Sequence, residues 1–279
     1  MRVGGGATAI RCGLGAVLIA LICACATRAS PGPILATPAL PVPNAGLTSL
    51  PLPAASGGEL RFGVTADYPP FALPAANGRL TGADVESARR VATTLDVRAQ
   101  FVPTTWSTLA EDFTAGRFDV LIGGITVTPE RAALGTYSII LMNDGKRPLA
   151  RCAERDRYAT VDGIDRPDVR VMVMRAPGVP ELARQLFPRA IVTTNQDNPS
   201  PIPQLLSGKV DLWLTDGVVA EHMARRHAGQ LCVAVAGPFM PIAKAWLIRR
   251  DPTLVAAINR ALGVELRSGS WRRDLEAVP

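Results

Sequence analysis

From residue 58 onward, short apolar runs alternate with segments whose apolar residues recur at helical spacing. The runs at 60–64, 97–102 and 118–122 have the length and composition of buried strands. Between the first two runs, a helix is predicted at 81–95, with one apolar face made of Val85, Ala88, Val91, Ala92 and Leu95.

The same alternation continues to the end of the chain. Further strands are predicted at 137–142, 148–152, 169–174, 190–193, 211–215 and 231–235. Further helices are predicted at 105–115, with Trp106 in the first turn, and at 179–187, 200–207, 216–228, 252–266 and 270–276. Strands that alternate with helices predict an α/β fold with largely parallel sheets. A hinge between two lobes is predicted at 144–146. A second crossover at 240–244 would return the C-terminal helices to the first of these lobes.

Residues 1–25 have the pattern of an export signal. Arg2 and Arg11 supply positive charge, and the apolar run at 14–22 is too short to span a bilayer. The run closes in a sequence similar to a bacterial lipobox, with Cys25 as the lipidated residue; cleavage near Ala29 by ordinary signal peptidase is the alternative. We expect an exported protein, on the outer face of the cytoplasmic membrane if Cys25 carries lipid, and in the periplasm or cell envelope otherwise.

Residues 26–57 hold seven prolines, few charges and no periodicity. Such a composition cannot bury enough apolar surface to fold, so this segment is predicted to be a disordered, partly extended tether. A leftover propeptide is the alternative. The folded part is then expected to have one lobe at 58–145 plus 241–279 and a second lobe at 146–240.

The charge distribution argues against one class of function. The formal net charge is +6, but the basic residues occur singly or in pairs. No basic stripe interleaved with aromatic residues occurs, so nucleic-acid binding is not expected. His222 and His227 have no cysteine near them in the sequence, so no metal site is expected. The chain also has no nucleophile elbow and no phosphate-binding loop, and no cofactor is expected.

Cys152 and Cys232 are the only cysteines in the part of the sequence that is expected to fold. In an oxidising compartment two cysteines most simply form a disulfide. Both lie on strand-like runs, so neighbouring strands would bring them together. Two buried free thiols are the alternative.

The segment 123–131 is the most informative stretch for function. It follows the predicted strand at 118–122 and contains Gly123, Gly124, Thr126, Thr128 and Arg131. Glycines allow close approach of the backbone and leave amides unencumbered. Amides, hydroxyls and a guanidinium beyond the carboxyl end of a strand are the groups that a carboxylate ligand needs. A simple glycine turn with a surface arginine is the alternative.

These features occur together in a known family. Residues 58–279 resemble the family 3 extracellular solute-binding proteins, the two-lobed receptors of polar amino-acid transporters. The segments that carry the resemblance are 67–71, 116–119, 123–131 and 208–216. Within that family the chain is most similar to the cyclohexadienyl dehydratase branch, through 105–106, 117–119, 144–146 and the two cysteines. The resemblance implies a type II periplasmic-binding-protein fold, with two lobes joined by a two-strand hinge and a ligand held between them.

The resemblance also implies roles for individual residues. Arg131 would clamp a ligand carboxylate bidentately, with Thr126 and the Gly124 backbone completing the cradle. Asp216 would pair with the α-amino group of the ligand; an N-cap for the following helix is the alternative. The remaining residues implied at the pocket are two aromatic walls and a hinge cation: Tyr68, Trp106 and Lys146.

One segment departs from the family pattern. Amino-acid receptors usually place a Gly-Thr pair at the start of the first helix in the second lobe, whereas this chain has Gly178-Val179-Pro180-Glu181. The hydroxyl is missing and Pro180 removes a backbone N–H. Dehydratases place a general-acid glutamate in this stretch, and Glu181 is the candidate. An ungapped alignment puts Glu181 one place late, and a first-turn carboxylate favoured by the helix dipole is the alternative.

Two functional hypotheses follow. The first is a solute-binding protein, lipid-anchored through Cys25, that captures a small carboxylate or amino-acid-like ligand for an ABC permease or a sensor. The second is a prephenate or arogenate dehydratase, in which Arg131 and Lys146 hold two carboxylates and Glu181 protonates the departing hydroxyl. The sequence favours the first.

Overall fold

The structure is a computed structural model that describes residues 58–176 and 178–278. The predicted export signal with Cys25 and the predicted tether at 26–57 lie outside the described residues. Both therefore stay predictions.

The described residues form strands of very different lengths. In chain order they are β1 (Glu59–Val64), β2 (Leu73–Pro74), β3 (Leu80–Thr81), β4 (Arg98–Pro103), β5 (Val120–Leu121), β6 (Thr136–Tyr137), β7 (Met142–Arg151), β8 (Arg170–Met174), β9 (Ile191–Asn195), β10 (Leu212–Asp216), β11 (Leu231–Val233), β12 (Pro241–Lys244) and β13 (Leu247–Ile248). β2 and β3 form a small antiparallel hairpin of their own.

The helices follow the strands in the alternating order that the sequence predicts. They are α1 (Ala83–Thr94), α2 (Leu109–Thr114), α3 (Pro129–Ala132), α4 (Val161–Ile164), α5 (Val179–Leu186), α6 (Pro201–Leu206), α7 (Gly217–Arg226), α8 (Pro252–Ser268) and α9 (Ser270–Ala277). A 3-10 helix spans Cys152–Tyr158. The predicted helix at 105–115 begins later than expected, because Thr108 is its N-cap, so Trp106 lies in the turn before the helix.

The first sheet has the strand order β4-β1-β5-β13-β6. β1 lies parallel to both β4 and β5, whereas β13 runs antiparallel to β5 and β6. The loops that follow β1, β4 and β5 therefore leave the sheet at one edge, where the carboxyl ends of parallel strands meet. Those loops carry Tyr68, Trp106 and the segment 123–131.

The second sheet has the strand order β11-β7-β10-β8-β9. β8 lies parallel to β9 and β10, and β7 runs antiparallel to β10 and β11. Both sheets are thus mixed, because the strands that connect the sheets run against the parallel ones. The prediction of an α/β fold with two lobes is confirmed.

Two chain segments connect the sheets. The first half of β7 leaves the first sheet and pairs antiparallel with β12, from Met142 opposite Lys244 to Gly145 opposite Pro241. The chain then returns through β12 to β13 in the first sheet. This antiparallel pair is the predicted two-strand hinge. The exact lobe boundaries at 145/146 and 240/241 stay predictions.

Apolar burial holds each sheet against its helices. The predicted face of α1 is confirmed, since Val85, Ala88, Val91 and Ala92 are buried. In the first sheet, the rings of Phe62 and Trp246 meet edge to face, with centroids 5.9 Å apart. Contacts of this kind contribute about 0.5–1.5 kcal/mol beyond the burial of apolar area. None of the helices in the described part of the chain has the length and apolar content that a membrane crossing requires.

The predicted disulfide between Cys152 and Cys232 is present. Cys152 follows the end of β7, and Cys232 lies on β11, which pairs with that end of β7. The two Cα atoms are 4.8 Å apart, a separation ordinary for a disulfide. The bond closes a loop with a sequence separation of 80 residues across most of the second lobe.

Replacing both cysteines by serine (Cys152→Ser with Cys232→Ser) should lower the free energy of unfolding by about 4 kcal/mol, because a loop this long is costly to close without the cross-link. Urea unfolding followed by circular dichroism measures the change. The natural chain in excess dithiothreitol is the control and should match the double variant. Equal unfolding midpoints for the variant and the oxidised natural chain would contradict this account.

His222 lies on the buried face of α7 and is 2% exposed. Its Nε2 atom has no hydrogen-bond partner in the described structure. Burial, followed by the charges of Arg225 and Arg226, lowers the pKa of His222 to about 4. The unfolded chain, in which the pKa of a histidine is about 6.5, therefore takes up a proton before the folded chain does.

The stability contributed by neutral His222 should accordingly be complete above about pH 6.5 and be lost as the pH falls toward 4. We expect a shallower fall of the melting temperature across that window in His222→Gln than in the natural chain. Identical slopes in His222→Gln and the natural chain would contradict this account of His222.

Candidate functional site

The glycine loop after β5 is held in place by a buried carboxylate. Gly123 and Gly124 have positive φ angles of 102° and 74°, a region that favours glycine. Both amides donate to Asp84 Oδ2, at 2.9 and 2.8 Å, and the Trp271 indole donates to Asp84 Oδ1 at 2.9 Å. The sequence-based expectation that the Gly124 amide is free for a ligand is therefore wrong: Asp84 already accepts its hydrogen bond.

Arg131 lies at the end of the same loop, on α3. Thr128 caps α3 by accepting a hydrogen bond from the Arg131 amide at 3.3 Å. The half-buried guanidinium donates from Nη1 to the Thr126 carbonyl at 3.0 Å. Within the described residues no carboxylate lies in ion-pair distance of this guanidinium. Burial lowers the pKa of Arg131, but an arginine still keeps its charge at neutral pH.

Asp216 is the centre of the site. It ends β10 and is 1% exposed. Its carboxylate accepts hydrogen bonds from the Tyr68 hydroxyl at 2.5 Å, from Lys146 Nζ at 2.6 Å and from Lys244 Nζ. Burial alone would raise the pKa of Asp216, but the charges and hydrogen bonds of the two lysines hold that pKa well below its ordinary value. Asp216 is thus ionised at any physiological pH.

The strand register explains one of these contacts. Lys146 on β7 lies directly opposite Asp216 on β10, and side chains in opposite positions of an antiparallel pair share one face of the sheet. The Lys146 side chain is 16% exposed, so its ion pair with Asp216 is largely shielded from water.

Asp216 also occupies the N-cap position of α7, which was the alternative interpretation of this residue. Its side chain makes no capping hydrogen bond. The Val218 amide in the first turn of α7 donates instead to Asp144 Oδ2, at 3.1 Å. Burial raises the pKa of Asp144. Asp144 on the hinge therefore stabilises the start of α7, and the Asp216 carboxylate is left to face the lysines.

Lys244 is the site residue that the sequence analysis missed. It lies on the hinge strand β12, and its side chain is 1% exposed. Besides Asp216, its ammonium contacts the Gly124 carbonyl at 2.7 Å and Thr126 Oγ1 at 2.8 Å. Burial lowers the pKa of Lys244, and Asp216 opposes that effect. A signal was present in the sequence: Lys244 and Trp246 are two apart on a strand-like run, which puts the charge on the same face as a core tryptophan.

The two aromatic residues expected as pocket walls lie against each other. The rings of Tyr68 and Trp106 meet edge to face, with centroids 5.4 Å apart. The Trp106 indole donates to Asp67 Oδ1 at 2.8 Å, which fixes the ring beside the Tyr68 turn. Burial and the nearby Asp216 raise the pKa of Tyr68 well above its ordinary value, so its hydroxyl stays a donor.

Glu181 is the predicted site residue that the structure does not connect to this cluster. It lies in the first turn of α5 with 65% of its side chain exposed. Within the part of the chain that the structure describes, its one ion pair is with Arg184, at 4.0 Å on the same helix. The structure thus brings together Tyr68, Thr126, Lys146, Lys244 and Asp216. Arg131 contacts this cluster through Thr126, and Trp106 contacts it through Tyr68.

Among the described residues no group of three or more His, Cys, Asp or Glu side chains is placed to hold a metal ion.

Two curated relatives cover most of the chain. It is 33% identical over 219 residues to cyclohexadienyl dehydratase of Pseudomonas aeruginosa, a match that covers 78% of this chain and 82% of the relative. It is 27% identical over 213 residues to the L-cystine-binding protein TcyJ of Escherichia coli, which covers 76% of this chain and 79% of that protein.

Solved structures give the same picture of the fold. The ancestral amino acid-binding protein AncCDT-1, described as a precursor of cyclohexadienyl dehydratase, superposes with a TM-score of 0.70 at 30% identity, covering 79% of this chain and 95% of that one. An amino acid ABC transporter substrate-binding protein of Streptococcus pneumoniae bound to L-arginine superposes with a TM-score of 0.71 at 22% identity, covering 79% and 93%, and so supports the fold alone.

The family model with the description "Bacterial extracellular solute-binding proteins, family 3" matches residues 60–276. That range takes in both sheets, the hinge between them and every residue of the cluster around Asp216. The chain therefore belongs to the bacterial extracellular solute-binding proteins of family 3.

Proposed function

We propose that this protein captures a small carboxylate or amino-acid-like solute between its two lobes and delivers it to an ABC permease or a sensor. The relatives named above include an L-cystine-binding protein and an ancestral amino acid-binding protein. Export fits a family of extracellular proteins. Lipidation at Cys25 would keep the receptor at the outer face of the cytoplasmic membrane.

The observation that carries this proposal is the guanidinium of Arg131. It is half-buried at the edge where the loops of the first sheet meet, and among the described residues its guanidinium donates one hydrogen bond, to the Thr126 carbonyl. A buried arginine without a carboxylate partner is costly unless an anion completes its hydrogen bonds. A ligand carboxylate has the planar geometry that a guanidinium binds bidentately.

The charges around the site also favour an anion. The cations are Arg131, Lys146 and Lys244. The carboxylates that interact with them are the buried Asp216, the half-buried Asp144 and the exposed Glu130. Because water and salt screen the exposed Glu130, cations outnumber carboxylates in the shielded part of the cluster. A ligand with at least one carboxylate would balance that excess.

Arg131→Gln should weaken binding of the carboxylate ligand about tenfold to a hundredfold, because a charged hydrogen-bonding partner is lost from a shielded site. The ligand is first identified by thermal-shift screening of amino acids and small carboxylic acids, and its dissociation constant is then measured by isothermal titration calorimetry. Arg131→Lys, which keeps the charge but not the fork, should recover part of the affinity. Arg79→Ala removes an exposed arginine and is the control.

Undiminished affinity in Arg131→Gln would remove this arginine from the site. The fold of the variant should be intact, since the capping bond of α3 uses the Arg131 backbone amide and is retained.

The second candidate is a dehydratase acting on prephenate or arogenate. The relative at 33% identity supports it. In that case Glu181 would protonate the departing hydroxyl as CO₂ leaves. A general acid that works near neutral pH must be shielded from water, and the exposed side chain of Glu181 does not meet that requirement here.

We therefore expect no release of phenylpyruvate when purified protein is incubated with prephenate, measured by absorbance in alkali. Turnover that is retained in Glu111→Gln, an exposed-glutamate control, but lost in Glu181→Gln would establish the dehydratase instead.

A further inference from the structure

The Lys244 side chain enters the site from a backbone that is fixed on both sides. The Val127 amide donates to the Ala243 carbonyl at 2.9 Å, and the Ala245 amide donates to the Ile125 carbonyl at 3.1 Å. The Leu141 amide donates to the Lys244 carbonyl at 2.8 Å. The strand that carries Lys244 is therefore held between the loop at 123–131 and the segment before β7. A simple shift of the backbone cannot move the ammonium away from Asp216.

The Lys244 ammonium is fully satisfied where it lies. An ammonium has three N–H donors, and three acceptors surround it: the Gly124 carbonyl, Thr126 Oγ1 and Asp216 Oδ2. The rings of Tyr68 and Phe71 add cation–π contacts, with centroids 5.4 and 5.6 Å from Nζ. A carboxylate, a hydroxyl, a carbonyl and aromatic faces are the same groups that would bind the free ammonium of a small ligand.

The Lys244 ammonium and the Arg131 guanidinium contact the same residue, Thr126, and this limits which ligands can bind there. Lys244 binds the side-chain oxygen of Thr126, and Arg131 binds the carbonyl of the same residue, at 2.8 and 3.0 Å. An α-amino acid has its carboxylate and its ammonium on neighbouring atoms. If its carboxylate binds Arg131, its ammonium meets a place already occupied by Lys244.

Asp216 has little capacity to bind the ammonium of a ligand. A carboxylate has about four lone-pair positions, and Tyr68, Lys146 and Lys244 use three of them. A further ammonium at Asp216 would also stand among the positive charges of Lys146, Lys244 and Arg131, and like charges in a shielded site repel strongly.

We propose that Lys244 acts as a built-in ammonium that excludes ligands with an α-amino group, so that the solute is a small carboxylic acid without one. This inference rests on the proposed binding function and narrows its ligand class. Lys244 is then a specificity-determining residue, which supplies from the protein the charge that an amino acid would otherwise bring.

The test compares pairs of ligands that differ only in the α-amino group: L-glutamate with glutarate, L-phenylalanine with hydrocinnamate, and L-aspartate with succinate. Dissociation constants are measured by isothermal titration calorimetry on the natural chain and on Lys244→Met. The natural chain should bind the deaminated member of at least one pair about tenfold or more tightly than the amino acid. Lys244→Met frees the acceptors that Lys244 uses on Asp216, Thr126 and Gly124. This variant should therefore bind the amino acid more tightly than its deaminated partner.

Lys209→Met is the matched control, because it removes an exposed ammonium outside the Asp216 cluster and leaves Lys244 in place. This variant should not gain affinity for the amino acids. Circular dichroism checks that each variant is folded. Should Lys244→Met fail to fold, Lys244→Gln takes its place, since it removes the charge and keeps a polar side chain.

The outcomes separate the inference from the proposed function. Tighter binding of the amino acids by the natural chain would overturn the inference and leave the binding function standing. A preference for the deaminated ligands that is unchanged in the Lys244 variants would show that another residue excludes the amino group. Failure of every protein to bind any member of the pairs would overturn the binding function, and the inference with it.

Discussion

The buried carboxylate of Asp216 and its two ammonium partners set the arrangement of the whole site. The carboxylate comes from β10 in the second sheet, Lys146 from β7, and Lys244 from the hinge strand β12. Tyr68 reaches the same carboxylate from the loop after β1 in the first sheet. Removing one member of such a buried set leaves an uncompensated charge, which typically costs about 3–5 kcal/mol. The contacts between the lobes and the electrostatics of the Asp216 cluster therefore depend on the same few atoms.

Much of the fold could be predicted from periodicity. The apolar face of α1 and the runs that became β1, β8 and β10 are local patterns, and packing did not override them. The start of α2 was placed too early because Trp106 was counted as a helical residue. In the structure, Trp106 lies in the turn before the helix, and its indole is held by Asp67. The two residues are 39 apart in the sequence, so a pattern of neighbouring residues does not reveal this contact.

The site was harder to predict, because its partners are distant in sequence. The loop at 123–131 was recognised, yet the role of its glycine amides was not, since Asp84 on α1 accepts them. Asp216 was recognised too, but Lys244 was not, although the alternation on β12 points it toward the core. A buried charge on a strand can be recognised in a sequence as an exception to the alternation of apolar and polar residues. Its partner depends on how neighbouring strands align, and a local sequence pattern does not contain that information.

The contact between Trp271 and Asp84 has a consequence for the order in which the structure can form. The carboxylate that fixes the glycine loop is itself oriented by an indole on α9, with a sequence separation of 187 residues. All the described strands precede α9 in the chain, so both sheets can pair before α9 docks. The geometry of the glycine loop is therefore complete only after α9 has packed against α1, and a substitution on α9 can alter that loop without changing any strand.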